Sequence, residues 1–179
     1  MKPVRSLTPA ILPLCLLIVL LTACMPKSGG EAGPAYVEIY YIDDPNGFAM
    51  EYPADWTKVR KAPSSVAWQP PPGDAGAAEV MATVTSFSPT DVPGGADRML
   101  SDFAAAHPGF VLTSEEPMDG PGGTPALRVM GHTPNRDILA YFITTHQRAF
   151  ILEFSASSQW FESYRPIFEE MADSFRVLE

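Results

Sequence analysis

From residue 36 onward, apolar and polar positions alternate in short runs that proline and glycine punctuate. Over residues 36–42, Tyr36, Glu38 and Tyr40 fall opposite Val37, Ile39 and Tyr41, a loose period of two that predicts a strand. Asp43-Asp44-Pro45-Asn46-Gly47 is a turn cluster, and 48–52 predicts a second strand ended by Pro53. A short strand is expected at 66–69, before Pro70-Pro71-Pro72. Residues 79–87 alternate strictly, with Val80, Ala82 and Val84 on one face and Met81, Thr83 and Thr85 on the other. The spacing then changes. Met99, Leu100 and Phe103 share one face of a helix predicted over 96–107, with Asp97 in its first turn and Pro108 stopping it.

The second half has stronger strands, predicted at 110–114, 126–132, 138–145 and 149–156. In the last two, both faces are apolar: Ile138, Ala140 and Phe142 lie opposite Leu139, Tyr141 and Ile143. Such strands need a layer on each side of the sheet. Finally, Trp160, Tyr164, Ile167, Phe168, Met171 and Phe175 recur at three or four. That spacing predicts a helix with a break near Arg165, Pro166 falling in the first turn of the second piece. The loops around Pro93-Gly94-Gly95 and Asp119 to Gly123 lack the lysine and context of a phosphate loop and read as turns. The class is α+β: about seven strands, mostly antiparallel, with the C-terminal helix across the sheet.

The first residues follow another grammar. Lys2 and Arg5 precede an apolar run at 11–21, interrupted by Pro13 and too short to span a bilayer, which needs roughly 20 apolar residues. It ends in Leu21-Thr22-Ala23-Cys24, which resembles a bacterial lipobox. In such signals a diacylglycerol is attached to the cysteine sulfur and the peptidase cuts before it. A plain secretory signal cut at an A-x-A site is the competing reading. The expected division is therefore a signal peptide at 1–23, a tether at 24–35 and a domain at 36–179. Residues 25–35 hold three Gly and two Pro, a flexible coil spanning roughly 15–20 Å. Met25 after the cysteine, where inner-membrane retention of the enteric type resembles Cys-Asp, favours outer-membrane sorting in a cell with two membranes.

Cleavage would remove Cys15 and leave Cys24 capped as a thioether, so neither a disulfide nor a free thiolate is expected. The chain has 12 Lys+Arg against 21 Asp+Glu, a formal charge of −9. Removing Lys2 and Arg5 leaves ten cations against the same 21 acids, a charge of −11. That balance argues against a nucleic-acid partner, because neutralising phosphates takes clustered Lys and Arg. Membrane attachment would then rest on the acyl chains, each buried CH₂ contributing ~0.8 kcal/mol.

Gly47-Phe48-Ala49-Met50-Glu51-Tyr52-Pro53-Ala54-Asp55-Trp56 resembles the opening of PsbP-like domains. These comprise the extrinsic photosystem II subunit PsbP, the yeast Ran-release factor fold, and bacterial DcrB and LpqN-type lipoproteins. Tyr164-Arg165-Pro166-Ile167-Phe168, through Ser174-Phe175, is similar to their closing helix. The resemblance covers about 36–179 and implies an α/β/α sandwich around an antiparallel sheet. It implies a binding or assembly module and carries no reaction.

Candidate chemistry is sparse. The chain has no G-x-S-x-G, H-E-x-x-H, C-x-x-C, Walker or dinucleotide fingerprint, and no cofactor is expected. His107 precedes Pro108 and reads as a helix cap. His132, His146 and Asp137 are the one plausible ligand set for a metal, and so the basis of an alternative reading as a metal-assisted hydrolase. The pairs Asp43-Asp44, Glu115-Glu116 and Glu169-Glu170 are adjacent in sequence and read as turn or solvent-facing carboxylates. Trp56 and Trp160 fit structural patterns; Trp68, beside the triple proline, is expected to be partly exposed and is the candidate binding residue. The leading expectation is a lipid-anchored, non-catalytic envelope module for a protein partner or a small apolar ligand.

Overall fold

A computed structural model describes residues 37–92, 94–120 and 123–178; the segments expected to be a signal peptide and a tether, Cys24 included, lie outside them. The strands are β1 (Glu38–Asp43), β2 (Phe48–Pro53), β3 (Thr57–Ala62), β4 (Ser65–Gln69), β5 (Met81–Phe87), β6 (Val111–Asp119), β7 (Pro125–Thr133), β8 (Arg136–Thr144), β9 (Ala149–Ala156) and β10 (Arg176–Val177). Two α-helices join them, α1 (Gly95–Ala106) and α2 (Phe161–Ser174). Seven strands form one antiparallel sheet in the order β3-β4-β5-β9-β8-β7-β6, and β1-β2-β10 form a second, smaller sheet.

The double-sided apolar pattern of β8 and β9 sets the layers. Leu139, Tyr141 and Ile143 point into one core with Trp68, Phe154, Phe168 and Phe175. Ile138, Ala140 and Phe142 point into the other with Met99 and Phe103. Helix α2 and the small sheet cover the first face, and α1 covers part of the second. The architecture is α+β, with the C-terminal helix across the sheet as expected.

The two sequence segments that carry the family resemblance meet in space. The Glu51 N–H donates to Ser174 Oγ at 2.9 Å, the Phe48 and Phe175 rings stack at 5.7 Å, and Trp56 lies edge-on to Phe168 at 6.5 Å. Gly47, which opens the first of these segments between the turn after β1 and β2, has φ +70°, and a Cβ there would fall 2.5 Å from Arg148 Nε. Both the turn and the close approach require glycine.

Three elements differ from the sequence reading. Helix α2 runs unbroken through Pro166. The proline removes one ladder bond in the second turn, a cost of about 3 kcal/mol in a free helix. Burial of Phe161, Phe168, Met171 and Ala172 offsets it, at about 1.5–3 kcal/mol for each large side chain. Strand β3 was not predicted, because Thr57–Ala62 is exposed along its whole length and offers no period-two burial to read. Strand β6 extends to Asp119, well beyond the predicted 114, and is likewise an exposed edge.

Candidate functional site

The second face of the large sheet is only partly roofed. Helix α1 presses Met99 and Phe103 onto β8, so Thr85 and Phe87 of β5 and Ile151 and Glu153 of β9 are left beside it. The result is a groove of about 330 Å³, within the size range of small-ligand pockets. Its walls are Phe87, Val92, Met99, Phe103, Ala106 and Ile151; Asp91, Asp102 and Glu153 are its acidic groups, and no Lys or Arg lines it. Asp102 is paired with Arg98 at 2.9 Å on the exposed side of α1.

One end of the groove is pinned by His107. Its Nδ1 lies 2.8 Å from the Phe103 carbonyl, its ring sits 4.0 Å from the Phe103 ring, and its Nε2 is 3.4 Å from Glu153 Oε1. The Glu153 carboxylate raises the imidazole above its ordinary pKa; burial opposes that, and the Phe103 carbonyl adds to it. The helix-cap role expected of His107 is present, and the residue also ties α1 to β9.

Across Phe87 and Asp91 lies a second hollow of about 440 Å³, lined by Asn46, Ser64, Ser86, Ser88, Gln147 and Arg148. Three residues before Asn46, Asp43 is buried at the end of β1. Its Oδ2 accepts from Tyr41 at 2.9 Å and Arg60 at 3.0 Å, while Oδ1, with the Asn46 amide nearby, has no well-formed hydrogen bond among the described residues. Burial alone would raise this carboxyl. The Asn46 amide, the Tyr41 hydroxyl and the Arg60 guanidinium outweigh it and hold the pKa below the ordinary value. The same burial, with Asp43 alongside, pushes Tyr41 up to about 12.

The residues singled out from sequence fall elsewhere. Trp68 is fully buried, contrary to the expected partial exposure: its ring lies between Tyr41 at 5.4 Å and Tyr52 at 5.5 Å, under the small sheet. Sequence gave no sign of that sheet folding back over β4. His132 and Asp137 pair directly across β7 and β8, as the expected metal set requires. His146 does not join them. The hairpin turn lies between Thr133 and Arg136, so β8 carries the chain about 23 Å from Asp137 to Thr144, and His146 lies in the turn beyond that end. Among the described residues no three His, Cys, Asp or Glu side chains cluster as a metal site. Glu169, expected on the solvent face, is half-buried and receives both Arg128 and Arg165, at 3.1 and 3.2 Å. Asp91 and the groove walls were missed, although Thr83 and Thr85 opposite the apolar face of β5 were a sign of an incompletely covered sheet.

No family profile matches the chain, and no curated protein does. Solved structures do. The cyanobacterial PsbP of Synechocystis sp. PCC 6803 superposes with a TM-score of 0.60 at 20% identity, covering 84% of this chain and 97% of that one. The domain has the PsbP-like fold. Protein PA94 of Pseudomonas aeruginosa, described as of unknown function, shares that PsbP-like architecture with a TM-score of 0.53 at 16% identity, over 76% of this chain and 94% of its own. LpqN of Mycobacterium tuberculosis, described as involved in cell envelope biogenesis, gives 0.52 at 14% identity, over 81% of this chain and 91% of its own. At these identities the shared property is the PsbP-like fold itself.

Proposed function

We propose that this protein is a non-catalytic binding module of the cell envelope, held there by a lipid on Cys24, and that the α1 groove is where it binds. The observation that carries this reading is the groove: apolar walls with acidic groups of one sign, on the face of the sheet that α1 leaves open. The ligand it fits is a small apolar molecule with a cationic end beside Asp91, the acid of the rim that has no ion pair among the described residues; a fatty acid of equal length would bring like charge to the same rim. The lipobox sequence and the envelope role described for LpqN support the location. Among the described residues no helix is long and apolar enough to cross a membrane.

Two experiments test it. Cys24→Ser should abolish acylation and cleavage at the box; unchanged processing and membrane retention would defeat the anchor. Displacement of a neutral apolar dye such as Nile red should be at least tenfold stronger for dodecylamine than for dodecanoate. Ala106→Trp, at an exposed position on the groove mouth, should weaken it tenfold or more without unfolding the domain. Equal displacement by both amphiphiles, or an unaffected Ala106→Trp protein, would contradict the assignment of the groove.

A further inference from the structure

The described structure has three long exposed strand edges, and they are not alike. On β3, Lys58, Arg60 and Lys61 line the edge, and the register shifts between Arg60 and Ala62. On β6, Glu115, Glu116 and Pro117 do the same, with a shift between Leu112 and Ser114. Charges, proline and bulges are the devices by which edges avoid pairing with other chains. Strand β1 has no proline, no bulge and no charge in its interior. Its sequence Glu38-Ile39-Tyr40-Tyr41-Ile42-Asp43 pairs with β2 without a shift, and its only charges are at its two ends. Val37, Ile39, Tyr40 and Ile42 supply four of the seven large apolar side chains exposed on the described surface, at 42–74% exposure.

The backbone shows what that edge can take. In an antiparallel strand a residue's N–H and C=O point the same way, and the direction alternates along the chain. The Val37 carbonyl accepts from Ala54 and the Asp43 carbonyl from Gly47, so the odd-numbered residues face β2. Glu38 lies opposite Pro53, which has no N–H to give, and Tyr40 opposite Glu51, whose N–H goes to Ser174 instead. The N–H and C=O groups of Glu38, Tyr40 and Ile42 therefore point outward, and no described residue bonds them.

That set is symmetric about Tyr40. We propose that β1 pairs with β1 of a second copy of this chain, antiparallel, with Tyr40 on the two-fold axis. In that register Tyr40 faces Tyr40 and Glu38 faces Ile42, so every outward N–H of each copy meets an outward C=O of the other. Sliding by two residues leaves outward groups unpaired. No like charges stand directly opposite, Ile39 packs beside Tyr41, and the Tyr40 pair supplies a cross-strand aromatic contact. Such an isologous contact closes on itself as a dimer. The two small sheets become one continuous sheet of six strands, each copy contributing the three of its small sheet. The edge is short, so the dimer is a weak one compared with standard interfaces.

Cross-linking tests this on the full chain in its native membrane or in detergent. Directly opposed residues of a hydrogen-bonded pair have Cα atoms about 5.5 Å apart, within disulfide reach. Under mild oxidation Tyr40→Cys should give at least tenfold more disulfide-linked dimer than either the unsubstituted chain or Glu38→Cys, which is also exposed but four residues off its own symmetry mate. Tyr40→Pro, which removes an outward N–H and leaves the ladder to β2 intact, should shift the sedimentation of the chain at high concentration to monomer. Absence of a Tyr40→Cys dimer, equal linkage through Glu38→Cys, or a cross-link to another protein or to the chain's own N-terminal segment would each overturn the second copy as the occupant.

Discussion

At the scale of residues, two titratable groups carry measurable consequences. His107 has a raised pKa in the folded protein, so folding binds its proton more tightly than the unfolded chain does. Its contribution is fully present below the ordinary value of about 6.5 and is lost as pH rises through the raised one. His107→Gln should therefore lower stability by about 1 kcal/mol at pH 5 and by much less at pH 9, as read by denaturant unfolding. A pH-independent difference would contradict the pairing with Glu153. Asp43 works in the opposite sense: its lowered pKa contributes stability above the ordinary carboxylate value and loses it as pH falls through the folded one. Asp43→Asn should cost about 1–3 kcal/mol at pH 7 through its buried oxygens, discounted for the half-exposed Arg60 partner. The cost should shrink toward pH 2. Neither network was legible in sequence. His107 could be placed at a helix end, but Glu153 lies 46 residues further on, and only the strand order brings it back.

Elements were legible where burial alternates and obscure where it does not. Strands β5, β8 and β9 have one or both faces in a core, and their periodicity placed them to within two residues. Strand β3 shows that an edge exposed on every side chain carries no such signal. Helix α2 shows the reverse error. Pro166 predicted a break, but the helix holds because Phe161, Phe168, Met171 and Ala172 are packed along its length. Replacing the proline therefore relieves a local conflict that packing already overcomes. Pro166→Ala should raise stability by about 1–2 kcal/mol, with no change in far-ultraviolet helix content; a loss of stability would mean that the proline ring itself is a needed contact.

At the scale of the whole molecule, the sandwich was legible because β8 and β9 are apolar on both faces, and the opening and closing motifs named the fold that their mutual packing then realises. The candidate site was not legible. Trp68 stood out as a large ring beside three prolines, yet the small sheet folds over it. The groove is made by what α1 fails to cover, and its walls come from β5, α1, β9 and the loop before α1. No local pattern holds such a site together; it exists only once the strand order places β9 beside β5. The same order puts unlike edges at the two ends of the large sheet and leaves β1 as the undefended one.

The most direct measurement of the central claim is methyl-resolved NMR of the chain titrated with dodecylamine. Shifts should concentrate at Met99, Ala106, Ile151 and Val92 and saturate at one ligand per chain, with dodecanoate leaving those methyls in place. Shifts confined to Val37, Ile39 and Ile42 on the β1 edge, or spread without saturation, would contradict a binding groove under α1.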